Sequence, residues 1–467
     1  MSITFSGLGS GLDTSAIINA ILQVEALPIQ QLEADKEVNS HKLDLIGTLK
    51  GLVADLQEKA KGLSDLGGFL AYSVTSGDES AATFTLTGDT AATGGHTFEI
   101  LSLASADRYT FDTATAVTDP ATDLGAGTIH FTYGENVYDV AVGAGAGESS
   151  LNAIAAAIND EAGEDVTASV INTGTDLTPD WQLVITGNDT GRDFAIGELD
   201  QSTVPGLDGL EQIGQASNAL AVVDGLMIER SDNVFDGVVS GLSFTATGLT
   251  SGETTFSVEV DNAGVKEHVQ GFIDAYNEVM SFIEAQNEFD EEEGAKSDLF
   301  GDSILSTVRS TINAALFNVD IDDVIADTEG YSTLGLVGID LQVDGTLKLD
   351  ETQFDDKLTA NLDALADLFT GEEDGLMGRL DEAIDGMVDT KSTEQGDELL
   401  GIFDLRTETL NKLNKDIDKQ IDGLEFNLDQ IEETLIQKFA ALEELMAGLN
   451  AQGSYLSAQL GSVGSFL

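Results

Sequence analysis

The C-terminal part of the chain carries an apolar stripe that needs a second helix to cover it. From Leu410 onward, large apolar residues follow one another at intervals of three or four: Leu413, Ile417, Ile421, Leu424, Leu428, Ile431, Leu435, Phe439, Leu442, Met446 and Leu449. This spacing is typical of a coiled-coil seam. An amphipathic helix of this length is stable only when its apolar face is buried. The pattern therefore predicts helix pairing and favours a structural role over an enzymatic one.

A comparable stripe lies near the other end of the chain. Its apolar members are Leu45, Leu49, Leu52, Leu56, Ala60 and Leu63. A glycine-rich arm, Gly7–Gly11, precedes a short predicted helix with Asp13 or Thr14 as its N-cap. Pro28 fits the first turn of a second helix. We expect these N-terminal helices to cover the C-terminal seam.

The pattern between the two ends changes to that of β-strands. Residues 84–87 and 97–101 alternate and are rich in threonine, and helical spacing returns at Asp261. The fold class that we predict is α+β: an elongated, discontinuous helical leg formed by both termini, plus two β-rich heads, one inserted in the other. The predicted domains are terminal segments that are coiled-coil or disordered in the monomer (1–44 and 425–467), a helical leg with a small hairpin (45–71 and 261–424), a β-rich head (72–107 and 211–260) and an inserted β-rich head (108–210).

Charge and composition exclude several classes of protein. The 467 residues include 84 acidic and 20 basic side chains, which gives a net charge of −64. Such a chain cannot neutralise phosphates, and it is repelled by anionic membranes. The charge suits saline surroundings, where screening limits repulsion to roughly 10 Å. The absence of cysteine excludes disulfides and thiol nucleophiles. We find neither a transmembrane segment nor a Sec-type leader in the sequence, so any export should use another route.

Motifs that suggest chemistry have simpler structural readings. Asp340–Glu351 nearly fits a calcium-binding loop, but its flanks alternate like strands, so we predict a hairpin with a type I′ turn at Asp344-Gly345 and Asp350 as the next helix cap. Whether this loop binds calcium stays open. Gly143–Gly147 reads as a strand-to-helix connection, because Glu148 would repel a pyrophosphate. No two histidines have metal-ligand spacing, and His130 reads as a solvent-facing strand residue. We predict no catalytic, cofactor or metal site.

Several stretches resemble the flagellar filament cap protein family, the second hook-associated protein. They occur in the family's order: Gly7-Leu8-Gly9-Ser10-Gly11-Leu12-Asp13, Ile17-Ile18, Leu27-Pro28-Ile29, Gln215–Ala219, Val223-Asp224-Gly225, Ile228-Glu229-Arg230 with Asn233, Gly338–Asp350 with Phe354, Leu368-Phe369, Phe439–Leu449 and Gln452–Leu456. The segment 108–210 is similar to a repeat found in flagellar axial proteins, in Ala156-Ala157-Ile158-Asn159, Val170 and Leu183–Thr186. The resemblance covers nearly the whole chain.

This resemblance implies a structural assembly factor at the distal tip of the flagellar filament. A ring of subunits, a pentamer in the family's pattern, would retain exported flagellin and promote its folding and polymerisation, as filament elongation and motility require. The implied partners are further copies of the chain, flagellin, hook-filament junction proteins and a cytoplasmic export chaperone. Export would use the flagellar type III apparatus without a cleaved signal. Neither nucleic acid nor membrane insertion is expected.

We predict that the ends of the chain carry the contacts with the filament, with other copies and with the chaperone. The predicted contact residues are Leu8, Leu12, Ile17, Ile18, Ile21, Phe439, Leu442, Met446, Leu449, Tyr455 and Leu456. Simple packing of the leg is the alternative for each of them. Alternative functions are a hook-filament junction protein, an adhesin or carbohydrate-binding module that uses the β heads and the lone Trp181, and a secreted hydrolase with a perturbed carboxylate pair.

Overall fold

The computed structural model of the protein describes residues 13–464, apart from 89, 113–115, 291–293, 296, 320, 372–374, 389–390 and 393–397. Its helices are α1 Thr14–Glu25, α2 Leu27–Gly62, α3 Leu66–Phe69, α4 Leu151–Ala162, α5 Asn262–Gln286, α6 Ser303–Phe317, α7 Ile321–Ala326, α8 Glu351–Ala360, α9 Leu362–Thr370, α10 Leu376–Val388 and α11 Ile402–Gly464. Helices and sheets are both present, which confirms the mixed class.

The strands are short and pair with antiparallel neighbours. In chain order they are β1 Tyr72–Ser76, β2 Ala82–Leu86, β3 Gly94–Ser102, β4 Arg108–Asp112, β5 Gly127–Tyr133, β6 Asn136–Val142, β7 Val166–Asn172, β8 Trp181–Gly187, β9 Ile196–Gly197, β10 Gly209–Gly214, β11 Ala219–Val223, β12 Leu226–Arg230, β13 Val234–Val239, β14 Leu242–Ala246, β15 Thr254–Val260, β16 Phe289–Asp290, β17 Gly294–Ala295, β18 Ile339–Leu341, β19 Leu347–Leu349, β20 Lys391–Ser392 and β21 Glu398–Leu399.

The chain folds into two compact units. The helical unit comprises Met1–Asp65 and His268–Leu467, and the sheet unit comprises Leu66–Glu267. In the helical unit, α2, α6, α10 and α11 pack together. The helical spacing predicted to return at Asp261 is confirmed by α5, in which Phe272, Tyr276 and Ile283 lie on one stripe and are fully buried. Large apolar side chains removed from water in this way supply most of the folding free energy.

Capping side chains set where the helices of the helical unit begin. The Oδ1 atom of Asp13 accepts a hydrogen bond of 2.9 Å from the backbone N–H of Ala16, so Asp13 is the cap of α1. Pro28 stands in the first turn of α2, as predicted. Asp350 caps α8 by accepting from the backbone N–H groups of Thr352 and Gln353, as predicted. Each cap satisfies helix-end donors that would otherwise lack partners.

The buried stripe of α2 differs by one position from the predicted one. Leu45 and Leu52 are only half-buried, whereas Ile46 and Val53 are 1% and 0% exposed. Leu49, Leu56, Ala60 and Leu63 are buried, as the pattern predicted. On α11, Leu413 is 48% exposed, so it lies outside the seam. On α2, the prediction failed where two apolar residues are adjacent, because both then satisfy a spacing of three and four. At Leu413, the next residue, Asn414, faces α2 instead.

The sheet unit contains two separate hydrophobic cores. One core lies between a five-stranded sheet, β1-β15-β3-β11-β12, and a three-stranded sheet, β13-β14-β2. Its centre is a group of phenylalanine rings. The ring centroids of Phe84 and Phe256 are 4.7 Å apart, as are those of Phe235 and Phe244. Ring pairs at such distances add to the burial of apolar area. The domain limits inferred from the sequence stay predictions.

The second core of the sheet unit involves β10-β4-β8-β7, β6-β5-β9 and helix α4. Ser150 caps α4 and accepts a hydrogen bond of 3.3 Å from the backbone N–H of Ala153. The residues of α4 that face this core are Leu151, Ile154 and Ile158, each 0% exposed. Asn159 bonds through its side chain to both backbone groups of Ala168 on β7, which fixes the helix on the sheet.

Two Asp-Gly turns show that the dipeptide alone does not decide the turn type. At Asp224-Gly225, both residues have positive φ (49° and 78°), which is the type I′ geometry of a two-residue hairpin loop. At Asp344-Gly345, only glycine has a positive φ, 83°, and the loop between β18 and β19 has five residues. The predicted type I′ turn at Asp344 is therefore wrong. The hairpin itself is confirmed, with Ile339 paired to Leu349.

His130 is a partly buried member of a charged cluster, and not simply a solvent-facing residue. Its side chain is 18% exposed, while Ile129 and Phe131 point to the opposite face and are buried. The Nδ1 atom lies 2.6 Å from Asp139 Oδ1, and the Nε2 atom lies 3.2 Å from Glu198 Oε2. Hydrogen bonds to Asp139 and then Glu198 raise the pKa of His130 above its usual value.

We expect the stability of the sheet unit to fall as pH rises through the raised pKa of His130. Because the folded pKa is higher than the unfolded one, the contribution is complete below about 6.5, the unfolded value, and is lost on deprotonation. Thermal unfolding followed by the fluorescence of Trp181, the single tryptophan, measures this. The His130→Gln variant should show a smaller pH dependence. An equal dependence in both proteins would contradict the assignment.

Candidate assembly interface

Both ends of the chain meet along α11. Helices α1 and α2 each pack against it. Lys36 pairs with Asp418, and Lys50 Nζ lies 2.7 Å from Asp404 Oδ1. Residue numbers that rise along α2 thus meet numbers that fall along α11, so the two helices are antiparallel.

The two ends of the chain therefore pair, but the predicted partners are wrong. Lys36 and Asn39, which precede the predicted stripe of α2, bond to the seam of α11. Gln57 and Lys61, within that stripe, contact Asp381 of α10 instead.

A polar pair interrupts the apolar seam between α2 and α11. The Nδ2 atom of Asn39 lies 3.0 Å from the Oδ1 atom of Asn414, and Asn39 is 7% exposed. Asn39 belongs to a strict seven-residue series on α2: Leu32, Asn39, Ile46, Val53 and Ala60. Asn414 belongs to a similar series on α11: Asn414, Ile421, Leu428 and Leu435. One asparagine at a core position specifies helix register, at some expense of stability.

We expect the two asparagines to be energetically coupled. The single variants Asn39→Leu and Asn414→Leu should each lower the free energy of unfolding by about 1–2 kcal/mol, because each leaves the opposite amide without its partner. The double variant should recover most of this loss. Thermal unfolding followed by far-UV circular dichroism gives the coupling energy of the cycle. Additive losses in the double variant would show that the pair is not coupled.

The predicted N-terminal contact residues lie on two sides of α1. Ile18 is half-buried, whereas Ile17 and Ile21 are both 36% exposed. Leu8 and Leu12 lie outside the described residues. The paired residues of α2 and α11 have numbers that add to 453 or 454, and this register places α1 beside residues of about 429–440. Ile18 is thus the best covered of the three predicted isoleucines of α1, and Ile17 and Ile21 are exposed.

The predicted C-terminal contact residues become more exposed toward the end of α11. Phe439 and Met446 are half-buried. Leu442, Leu449, Tyr455 and Leu456 are 39%, 52%, 66% and 57% exposed. If the α2–α11 register is continued through α1, it reaches about residue 440 of α11, and the more exposed members of the stripe lie beyond that point. Exposed apolar stripes of this kind mark interaction surfaces.

Within the described ranges, no group of three or more histidine, aspartate or glutamate side chains could hold a metal ion. The side chain of Asp344 in the hairpin accepts from Thr346 N and Oγ1, at 3.0 and 2.6 Å. None of the helices in the described residues has both the length and the apolar character needed to cross a bilayer.

Sequence reasoning missed the polar contacts of Asn39 and of Asp224, although Asp224 belongs to one of the stretches that resemble the family. Asn39 could have been found, because it interrupts an otherwise apolar seven-residue series. Asp224 accepts from the backbone N–H of Thr97 at 2.9 Å and lies 2.8 Å from the Nδ1 atom of His96. The His96 hydrogen bond, followed by that of Thr97, lowers the pKa of the Asp224 carboxyl. Only the pairing of strands brings Asp224 close to His96 and Thr97, so the sequence carried no signal for this contact.

Comparison with known proteins gives one consistent result. The family described as Flagellar hook-associated protein 2 C-terminus matches residues 216–451, and its N-terminus counterpart matches residues 10–107. The A-type flagellar hook-associated protein 2 of Pseudomonas aeruginosa is 29% identical, over 99% of this chain and 98% of its own length. The flagellar hook-associated protein 2 of Escherichia coli K12 is 26% identical, over 98% of each chain.

Solved structures agree with the sequence comparisons. The D1-D2-D3 domains of the flagellar cap protein FliD from Escherichia coli are similar to 79% of this chain and 99% of their own length. The TM-score is 0.59 and the sequence identity is 25%. The resemblance noted in the sequence is thus confirmed by family, relatives and fold. The chain belongs to the flagellar hook-associated protein 2 family.

Proposed function

We propose that this chain, a flagellar cap protein by its family, works through binding and not through catalysis. Its paired terminal helices would hold it at the distal tip of the filament, where it retains exported flagellin and promotes its polymerisation. The observation that supports this proposal is the apolar stripe of α11, which is exposed at Leu442, Leu449 and Leu456. Such a stripe needs a protein partner to cover it.

The finer partners follow the family's pattern. A ring of identical subunits, a pentamer as in that pattern, would place several copies of the stripe around the filament. Hook-filament junction proteins would support the first cap, and a cytoplasmic chaperone would cover the stripe before export through the type III apparatus. Because each subunit carries a net charge of −64, association of copies should strengthen with salt.

Adhesion has no comparable support. Trp181, the residue that would suggest a sugar-binding surface, is only partly exposed and packs against the second core of the sheet unit. A hook-filament junction protein would also have paired terminal helices. However, residues 10–107 and residues 216–451 both match the hook-associated protein 2 family.

The test is a strain that lacks the gene. We expect filaments to disappear and unpolymerised flagellin to accumulate in the culture medium, because nothing retains it at the tip. The full-length gene should restore filaments and lower free flagellin. Immunoblots of the medium and electron microscopy of cells measure both. Normal filaments in the deleted strain would contradict the capping function.

A further inference from the structure

Helix α1 has a wide apolar stripe, and only part of it is buried. Ile18 and Leu22 are half-buried, and Thr14 is buried on the same side. Ile17 and Ile21 are 36% exposed, and Val24 is 63% exposed. The polar side of α1 carries Ser15, Asn19 and Gln23, so the exposed Ile17, Ile21 and Val24 extend its apolar stripe beyond the buried part. The outer side of α1 therefore has the character of a contact surface.

The outer side of α1 carries a shallow, open groove of about 490 Å³ between its own side chains. The groove is lined by Ala16, Ile17, Ala20, Ile21, Val24 and Glu25. Its large residues stand at i, i+4 and i+7, the spacing with which helices meet in a groove. Ala16 and Ala20, which lie beside these residues on the helix surface, leave room for the ridge of another helix. We call these six residues the α1 groove.

The charge around the α1 groove indicates what can fill it. Residues 13–35 and 425–464 carry ten carboxylates and one basic side chain, Lys438. Glu25, at the end of the groove, has no basic partner among the described residues. A second copy of the chain would bring an equally acidic rim, and like charges across an interface oppose binding. A helix with basic residues beside its apolar seam is complementary.

We propose that the α1 groove binds an amphipathic helix of a different protein, one with a lysine or arginine that meets Glu25. The inference rests on the proposed function in one respect: it names the chemistry of one partner that the paired ends would contact. Ile17, Ile21 and Val24 supply the apolar anchors, and Glu25 selects the charge of the incoming helix.

Two synthetic helices with the same leucine seam test the proposal. One carries lysines beside the seam, and the other carries glutamates at the same positions. Fluorescence anisotropy with the full-length protein should detect binding of the lysine helix, weakened by salt. Ile21→Ser should weaken it about tenfold, because the anchor loses its apolar contact. Val38→Ser is the matched control, since Val38 is 38% exposed but lies on α2, outside the groove; it should leave binding unchanged.

Charge reversal separates the selective role of Glu25 from general attraction to an acidic protein. Glu25→Lys should weaken the lysine helix by roughly fivefold and strengthen the glutamate helix, consistent with an exposed ion pair. Equal loss in Val38→Ser, or no change in Glu25→Lys, would overturn the proposal. So would binding that appears only after deletion of residues 1–12, which would assign the groove to the chain's own N-terminal segment. Self-association that Ile21→Ser abolishes would assign it to a second copy.

The cellular test of capping is independent of these measurements. A strain lacking the gene reports on the proposed function whether or not either peptide binds. Failure of the lysine helix to bind, together with flagellin release from the deleted strain, would overturn the groove proposal and leave capping intact.

Discussion

Removal of residues 436–467 is expected to abolish filament capping while the sheet unit remains folded. The truncation takes away the predicted contacts at Phe439, Leu442, Met446 and Leu449 and leaves both cores of the sheet unit untouched, because these are built from residues 66–267. It also shortens the part of α11 that lies beside α1. The exposed stripe that supports the proposed function would then be missing.

The truncated gene and the full-length gene are each introduced into the strain from which the gene has been deleted, and the two strains are compared. We expect free flagellin in the medium and no filaments, as in the deleted strain. Trp181 fluorescence should show an unchanged thermal transition, because the single tryptophan lies in the sheet unit. The full-length variant Glu444→Gln is the control, since it changes an exposed polar position of the same segment. Normal motility of the truncated strain would refute the role of the tail.

The sequence predicted where helices begin and which segments are helical better than it predicted which side of a helix is buried. Helix caps at Asp13 and Asp350 and the stripe of α5 follow from local chemistry, and the structure confirms them. The choice between Leu45 and Ile46, or between Leu52 and Val53, depends on how far α2 is rotated toward its neighbours. Adjacent apolar residues satisfy the helical period equally well, so this choice requires tertiary packing.

Polar contacts between segments that are distant in the chain could not be predicted from the sequence for a related reason. Asn39 and Asn414 are separated by most of the chain, and their pairing depends on the register of two long helices. The turn at Asp344-Gly345 depends on a loop of five residues, which the strand limits decide. The predicted contact residues at the two ends stay predictions, because burial alone does not identify a partner.

Replacement of the aromatic side chain of Phe403 is expected to destabilise the helical unit more than any exposed substitution on α11. Phe403 is 0% exposed in the first turn of α11, next to Asp404, which pairs with Lys50 of α2. Helix α11 also packs against α6 and α10. Phe403→Ala should lower the free energy of unfolding by about 3–5 kcal/mol, since the lost burial is accompanied by a cavity. The thermal midpoint should fall by roughly 10 °C.

Leu405 provides a matched control two residues further along the same helix. It is 55% exposed, so Leu405→Ala removes little buried area and should change the free energy of unfolding by less than about 0.5 kcal/mol. Far-UV circular dichroism follows the helices, and Trp181 fluorescence follows the sheet unit separately. Phe403→Ala should move the helical transition and leave the tryptophan transition in place. Similar effects of both substitutions would mean that the start of α11 does not anchor the helical unit. The pairing of the chain ends would then depend only on the part of the α11 seam that follows Asn414.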